Sequence, residues 1–178
     1  MHRAVIRTVI KTAARVSVVA SVLVAVPSLT AAPASGGIGR LGWPLHPRPA
    51  VLRQFDAPTP NWQRGHRGVD LAGVPGQTVF AAAEGTVVFA GTLAGRPLVS
   101  IAHPGGLRTT YEPIEPAVRR GQWVTFGSAV GALSAGHPGC AAAACLHWGA
   151  MWGSASRAAY VDPLGLVATT PPRLKPVR

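Results

Sequence analysis

An all-β fold, a small antiparallel sheet or sandwich, is what this 178-residue sequence predicts, and three observations predict it. From Val51 to about Val167, short runs rich in β-branched and aromatic residues recur between Gly and Pro punctuation. Those runs are closely spaced, as antiparallel neighbours joined by tight turns would be. No long stretch after the N-terminal segment carries a helical apolar period.

Taken in order, the first 34 residues read as an export signal. Arg3, Arg7, Lys11 and Arg15 form a basic leader, and Val16 to Val26 is largely apolar. Ala32-Pro33-Ala34 offers small residues at the two positions a signal peptidase inspects, so cleavage is expected before Ser35. An uncleaved membrane anchor is the competing reading. The apolar stretch is short for a span and Pro27 interrupts it, so no membrane span is expected after cleavage. No cysteine lies near the cut to take a lipid. Residues 35–50 read as a linker and Pro-rich lead-in that contains Trp43, and residues 51–167 as one domain. Within it, Gly85-Thr-Val-Val-Phe-Ala, Pro97-Leu-Val-Ser-Ile-Ala, Leu107-Arg-Thr-Thr-Tyr, Trp123-Val-Thr-Phe and Cys145-Leu-His-Trp are the predicted strands. Asp162-Pro163 would start one short helix through Leu166, with Asp as cap and Pro in the first turn. Residues 168–178 hold three prolines and three basic residues and no core pattern, so a disordered basic tail is expected.

Removing the signal takes four of the 17 basic residues and none of the 6 acidic ones, which leaves a net charge of +7. An exported chain of that charge is drawn to anionic surfaces such as a bacterial cell wall. The arginines are scattered and no recognition motif accompanies them, which argues against a nucleic-acid partner. Cys140 and Cys145 are the two cysteines. In an oxidising compartment a disulfide is their default state, and closing so short a loop contributes roughly 2 kcal/mol. A reactive thiol or a metal thiolate is the alternative.

Two patterns could carry chemistry. In Gly65-His66-Arg67-Gly68-Val69-Asp70-Leu71, a His and an Asp four positions apart beside Gly can share one metal if the backbone turns between them. In Cys145-Leu146-His147-Trp148-Gly149, residues 145 and 147 of a strand point to the same face. Zinc takes three or four N, O or S ligands, with one position open when it is catalytic, and His66, Asp70 and His147 would supply that set. Each pattern alone arises often by chance.

The order of motifs is more specific. Gly65 to Asp70, Val79 to Gly91, Val99 to Leu107, Arg120-Gly121-Gln122-Trp123-Val124, Leu146 to Gly149 and Asp162-Pro163 follow one another as in the lysostaphin/LytM-type zinc endopeptidases that act on peptidoglycan. The chain resembles that family from Trp43 to Val167. The resemblance implies a small β-sandwich of the duplicated-hybrid-motif kind, zinc as cofactor, and His66, Asp70 and His147 as ligands. It implies peptidoglycan peptides as substrate; with the export signal, a secreted or envelope location is expected, and the chain is expected to be a monomer.

The chain also departs from that pattern. Cys145 stands where the family's H-x-H motif has its first, non-ligand histidine. Pro113, in Thr109-Thr110-Tyr111-Glu112-Pro113-Ile114, stands where a second catalytic histidine belongs. Losing a positioned proton-transfer group lowers the rate by roughly 10² to 10⁴-fold. Three residues are candidates to compensate. His137 lies in a loop close before Cys140. Glu112 adjoins the missing histidine, although in a regular strand it would face away from position 113. Tyr111 offers a phenol that could donate to an oxyanion. His103 is read as a structural hydrogen-bonding residue at its turn. The two resulting functions are a zinc endopeptidase of the wall and a catalytically degenerate relative that binds peptidoglycan or regulates another hydrolase.

Overall fold

The computed structural model describes residues 40–153 and 157–167. The expected signal, most of the Gly-rich linker and the basic tail lie outside the described residues. The strands are β1 (Val51–Arg53), β2 (Gly68–Gly73), β3 (Thr78–Phe80), β4 (Gly85–Leu93), β5 (Arg96–Ala102), β6 (Leu107–Glu112), β7 (Ile114–Pro116), β8 (Trp123–Val124), β9 (Ala129–Leu133), β10 (Ala144–Trp152) and β11 (Ala159–Val161). The larger sheet runs β1-β2-β10-β6-β5-β4-β8, and β11 extends the β2 edge of β10. A smaller sheet has the order β3-β9-β7. The pairings between these strands are antiparallel, so the all-β expectation holds. Each predicted run lies on a strand, though Trp123-Val-Thr-Phe forms only two strand residues before a turn that leaves Phe126 exposed.

Alternation along each strand divides the large sheet into two faces. Val69 and Leu71 of β2, Leu146 and Trp148 of β10, Leu107, Thr109 and Tyr111 of β6, and Val99 and Ile101 of β5 turn inward. The apolar members of that set join Val79, Ile114, Val130 and Leu133 of the smaller sheet in one core. The intervening residues of β2, β10 and β6 therefore occupy the opposite, open face.

The lead-in belongs to this packed unit. Leu41 and Leu45 are fully buried. Leu41 bridges Val167 in parallel, and its N–H donates to Leu166 O at 2.8 Å. Burying two leucines contributes about 1.5–3 kcal/mol each, enough to fix the segment to the domain. Trp43 lies 6.3 Å from Trp148, ring to ring, and the Arg48 guanidinium lies over the Trp43 ring, 4.8 Å from its centre. At the far end, Asp162 Oδ1 accepts from Leu164 N–H at 2.9 Å and caps Pro163–Leu166, a 3₁₀ turn rather than an α-helix.

Candidate metal centre

Two neighbouring strands and one loop build a cluster on the open face. Asp70 of β2 and His147 of β10 are direct cross-strand partners. Both alternate out of the core, because Val69 and Leu71 on one strand and Leu146 and Trp148 on the other point in. His66 precedes β2 and is held by a two-bond bridge to Asp56. Its Nδ1–H donates to Gln54 O at 2.6 Å, which leaves Nε2 as a free lone pair. Gly68 makes room for His147. A Cβ at position 68 would come within 2.7 Å of His147 Nε2 and 2.6 Å of Trp148 O.

The three donor atoms form a nearly equilateral triangle. His66 Nε2 to Asp70 Oδ1 is 2.9 Å, His66 Nε2 to His147 Nδ1 is 3.0 Å, and His147 Nδ1 to Asp70 Oδ1 is 3.0 Å. With its proton on Nδ1, neutral His66 can only accept at Nε2, and a carboxylate oxygen only accepts. His147 Nδ1 has one proton to offer to two acceptors. With both imidazoles neutral the set has fewer donors than acceptors, and a cation at its centre would resolve it. A tetrahedral ion with bonds of about 2.0–2.2 Å needs ligand edges of about 3.3–3.6 Å, a few tenths of an ångström outward from this triangle. His66 and Asp70 are 4% and 3% exposed, so the position is shielded on one side, while the more accessible His147 faces the cleft. The residues fit a metal ion.

His137 joins this group. Its side chain is only 10% exposed, its Nε2 lies 3.6 Å from Asp70 Oδ1, and its ring stacks on His147 at 5.8 Å with planes 7° apart. Burial pushes the His137 imidazole below its usual pKa, against the opposing pull of the Asp70 carboxylate. Burial raises the Asp70 carboxyl. The hydrogen bond with His147 and the fields of His137, His66 and His147 outweigh it, and the net shift is downward.

Two expectations need correction. Glu112 lies directly across from His147 at the end of β6, so it faces the site; the chain leaves the strand at Pro113, and strand alternation does not extend to that residue. Its Oε1 is engaged by Arg96 Nη1 at 3.1 Å. Tyr111, one residue earlier, points the other way. It is fully buried, its hydroxyl accepts from Ala82 N–H at 2.9 Å, and Thr109 Oγ1 is 3.0 Å away. His103 Nδ1 bonds Glu84 O at 2.7 Å and its Nε2 bonds Thr109 Oγ1 at 2.8 Å, which completes a buried polar chain. A phenol held there cannot reach an oxyanion on the open face. Tyr111→Phe is expected to lower stability by about 1–3 kcal/mol, since Ala82 N–H loses its acceptor, and to leave metal affinity unchanged. Urea unfolding alongside a zinc titration would check both.

The cleft over the cluster has a volume of about 400 Å³, and Arg53, Arg67, Arg96, Met151 and Tyr160 contribute to its walls. Of these wall residues only Arg67 lies within a motif, between the two candidate ligands, and the sequence assigned it no role. Arg96 lies one residue before the predicted Pro97–Ala102 run, and its pairing with Glu112 depends on the β5–β6 register. Cys140 and Cys145 form a disulfide.

Residues 64–163, more than half of the chain, match the model of peptidase family M23. Over 149 residues the chain is 70% identical to an uncharacterized Mycobacterium tuberculosis protein, Rv2891. That match covers 84% of this chain and 60% of the relative, so the chain spans about three-fifths of that relative's length. Among solved structures, a zinc-containing peptidase from Vibrio cholerae is 21% identical with a TM-score of 0.55, covering 74% of this chain and 41% of that one. The antimicrobial peptidase lysostaphin from Staphylococcus simulans is 22% identical with a TM-score of 0.55, covering 70% and 53%. At these identities the two structures establish a common fold.

Proposed function

The chain belongs to peptidase family M23, and we propose that it is a zinc-dependent peptidase domain acting on peptidoglycan peptides, with His66, Asp70 and His147 as ligands. The observation that carries this reading is the triangle of three donor atoms, each within 3.0 Å of the others and short of protons to satisfy one another. The zinc-containing peptidase among its structural neighbours supports the choice of metal. Zinc held there would polarise a peptide carbonyl and lower the pKa of a water molecule.

The chain's own residues supply the rest. Gln54 O fixes the His66 tautomer, so that Nε2 faces the cluster. Gly68 leaves the space in which the His147 ring lies. His137, the imidazole beside the ligands, takes the proton-transfer role that Cys145 and Pro113 cannot fill, with Nε2 as the atom that accepts and returns the proton. Arg96 holds Glu112 in an ion pair, which leaves that carboxylate to shape the cleft. The excess of basic residues suits an anionic wall, and we place the protein in the envelope or outside the cell, after export. Among the described residues no helix is long and apolar enough to cross a membrane.

Zinc analysis and digestion of purified peptidoglycan test this reading together. Expected are one zinc per chain and released peptides that disappear with a chelator and return with added zinc. Full zinc occupancy with no released peptide would select the second reading, a binding or regulatory domain, which the replacement of two histidines by Cys145 and Pro113 favours.

A further inference from the structure

The loop that carries His137 is built into the site at both ends. At its start, Ser134 N–H donates to Pro113 O at 3.0 Å, beside the position where the family pattern has a histidine. At its end it enters β10 at Ala144. Between these points Ala135, Gly136, Pro138 and Gly139 are exposed, whereas His137 and Cys140 turn inward. His137-Pro138-Gly139-Cys140 is a turn closed by Cys140 N–H to His137 O at 3.2 Å, with Gly139 at φ 74°. Pro second and a positive-φ Gly third is the type II arrangement, which fixes the two inward residues relative to each other. Cys140 is bonded to Cys145, and Cys145 is fully buried two residues before His147 on the same strand. A short unbroken path of one turn and one covalent bond thus joins His137 to a metal-ligand strand.

We infer that the Cys140–Cys145 bridge and the His137–Cys140 turn are a positioning device, which clamps His137 over the metal centre in place of the missing catalytic histidine. The inference rests on the reading of His66, Asp70 and His147 as a zinc site. Cys145, which removes one histidine from the motif, is also the anchor that brings another in. The bridge acts on His137 and not on the ligands, because Asp70 and His147 are already fixed by the β2–β10 pairing.

The test compares the zinc-loaded wild type with the double variant Cys140→Ser/Cys145→Ser. Diethyl pyrocarbonate labels accessible neutral imidazoles, and mass spectrometry reads the rate at His137. That rate is expected to rise about tenfold in the serine variant as the loop opens locally, with zinc still bound one per chain. On peptidoglycan, kcat is expected to fall to the level of His137→Gln with KM little changed, and adding His137→Gln to the serine variant should cost nothing further. An unchanged labelling rate, or loss of zinc from the serine variant, would overturn the inference. If that variant does not fold, Gly139→Ala decides: it strains the turn while keeping the bridge, and must also raise labelling of His137. A wild type that digests nothing, with the labelling contrast intact, would remove the peptidase reading and leave the clamp standing.

Discussion

His147→Ala is expected to weaken zinc binding by more than about 100-fold and to reduce peptidoglycan digestion to background. Changing a residue that merely orients a ligand lowers metal affinity or activity by about 10 to 100-fold, and a ligand must exceed that. His147 contributes two of the three short contacts in the triangle, so its loss leaves His66 and Asp70 as a two-point site at one edge of the cleft. The ring is not part of the core, since Leu146 and Trp148 fill that side of β10. The metal-free variant should therefore unfold within about 0.5–1 kcal/mol of the metal-free wild type. Isothermal titration with zinc, with unfolding measured in chelator, separates lost coordination from lost fold. Undiminished zinc affinity would remove His147 from the ligand set.

His137→Gln is expected to lower kcat/KM on peptidoglycan by about 10² to 10⁴-fold, the range for losing a positioned proton-transfer group. Zinc affinity should change by less than about tenfold. At 3.6 Å, His137 Nε2 is too far from Asp70 Oδ1 to orient it by a hydrogen bond, and glutamine preserves the polar volume. A variant that retains full activity would assign proton transfer elsewhere, with Glu112 the next residue to replace because it faces the same cleft. A variant that loses zinc and activity together would make His137 a ligand.

Much of the scaffold could be read from local chemistry. Pro97 to Ala102 and Leu107 to Tyr111 carry their strand preference in β-branched and aromatic side chains. Asp162-Pro163 announced its cap by residue type alone. Ala129-Val-Gly-Ala-Leu has almost no such preference; it is a strand because β3 and β7 flank it. Leu41 and Leu45 lie in a Pro-rich segment with no periodicity; Leu41 is held by a bridge to residue 167 at the opposite end of the domain, and Leu45 follows Pro44, whose carbonyl accepts from Phe80 N–H of β3.

The candidate site divides in the same way. Residues 66, 70 and 147 could be named from local motifs and from the order in which those motifs follow one another, whereas their meeting depends on the pairing of β2 with β10 across the chain. The direction of Glu112 was not, since it depends on where β6 ends. The inward turn of His137 depends on a cross-link whose existence could be expected, but whose effect on a ring three residues away could not. Tyr111 was misassigned because its phenol finds its partners, Ala82 and Thr109, across the core.

The donor triangle has one more consequence, for folding rather than catalysis. His66 and His147 are 81 residues apart in the chain, and Asp70 lies between them in sequence. An ion bound there would be a noncovalent staple, tying an irregular segment to the middle of a sheet. Any ligand that binds only the native state stabilises it by mass action, about 2.7 kcal/mol when its free concentration is a hundred times its dissociation constant. The thermal endurance of the domain would then follow the free zinc of its surroundings, and scarcity of the ion would loosen the protein as well as silence it.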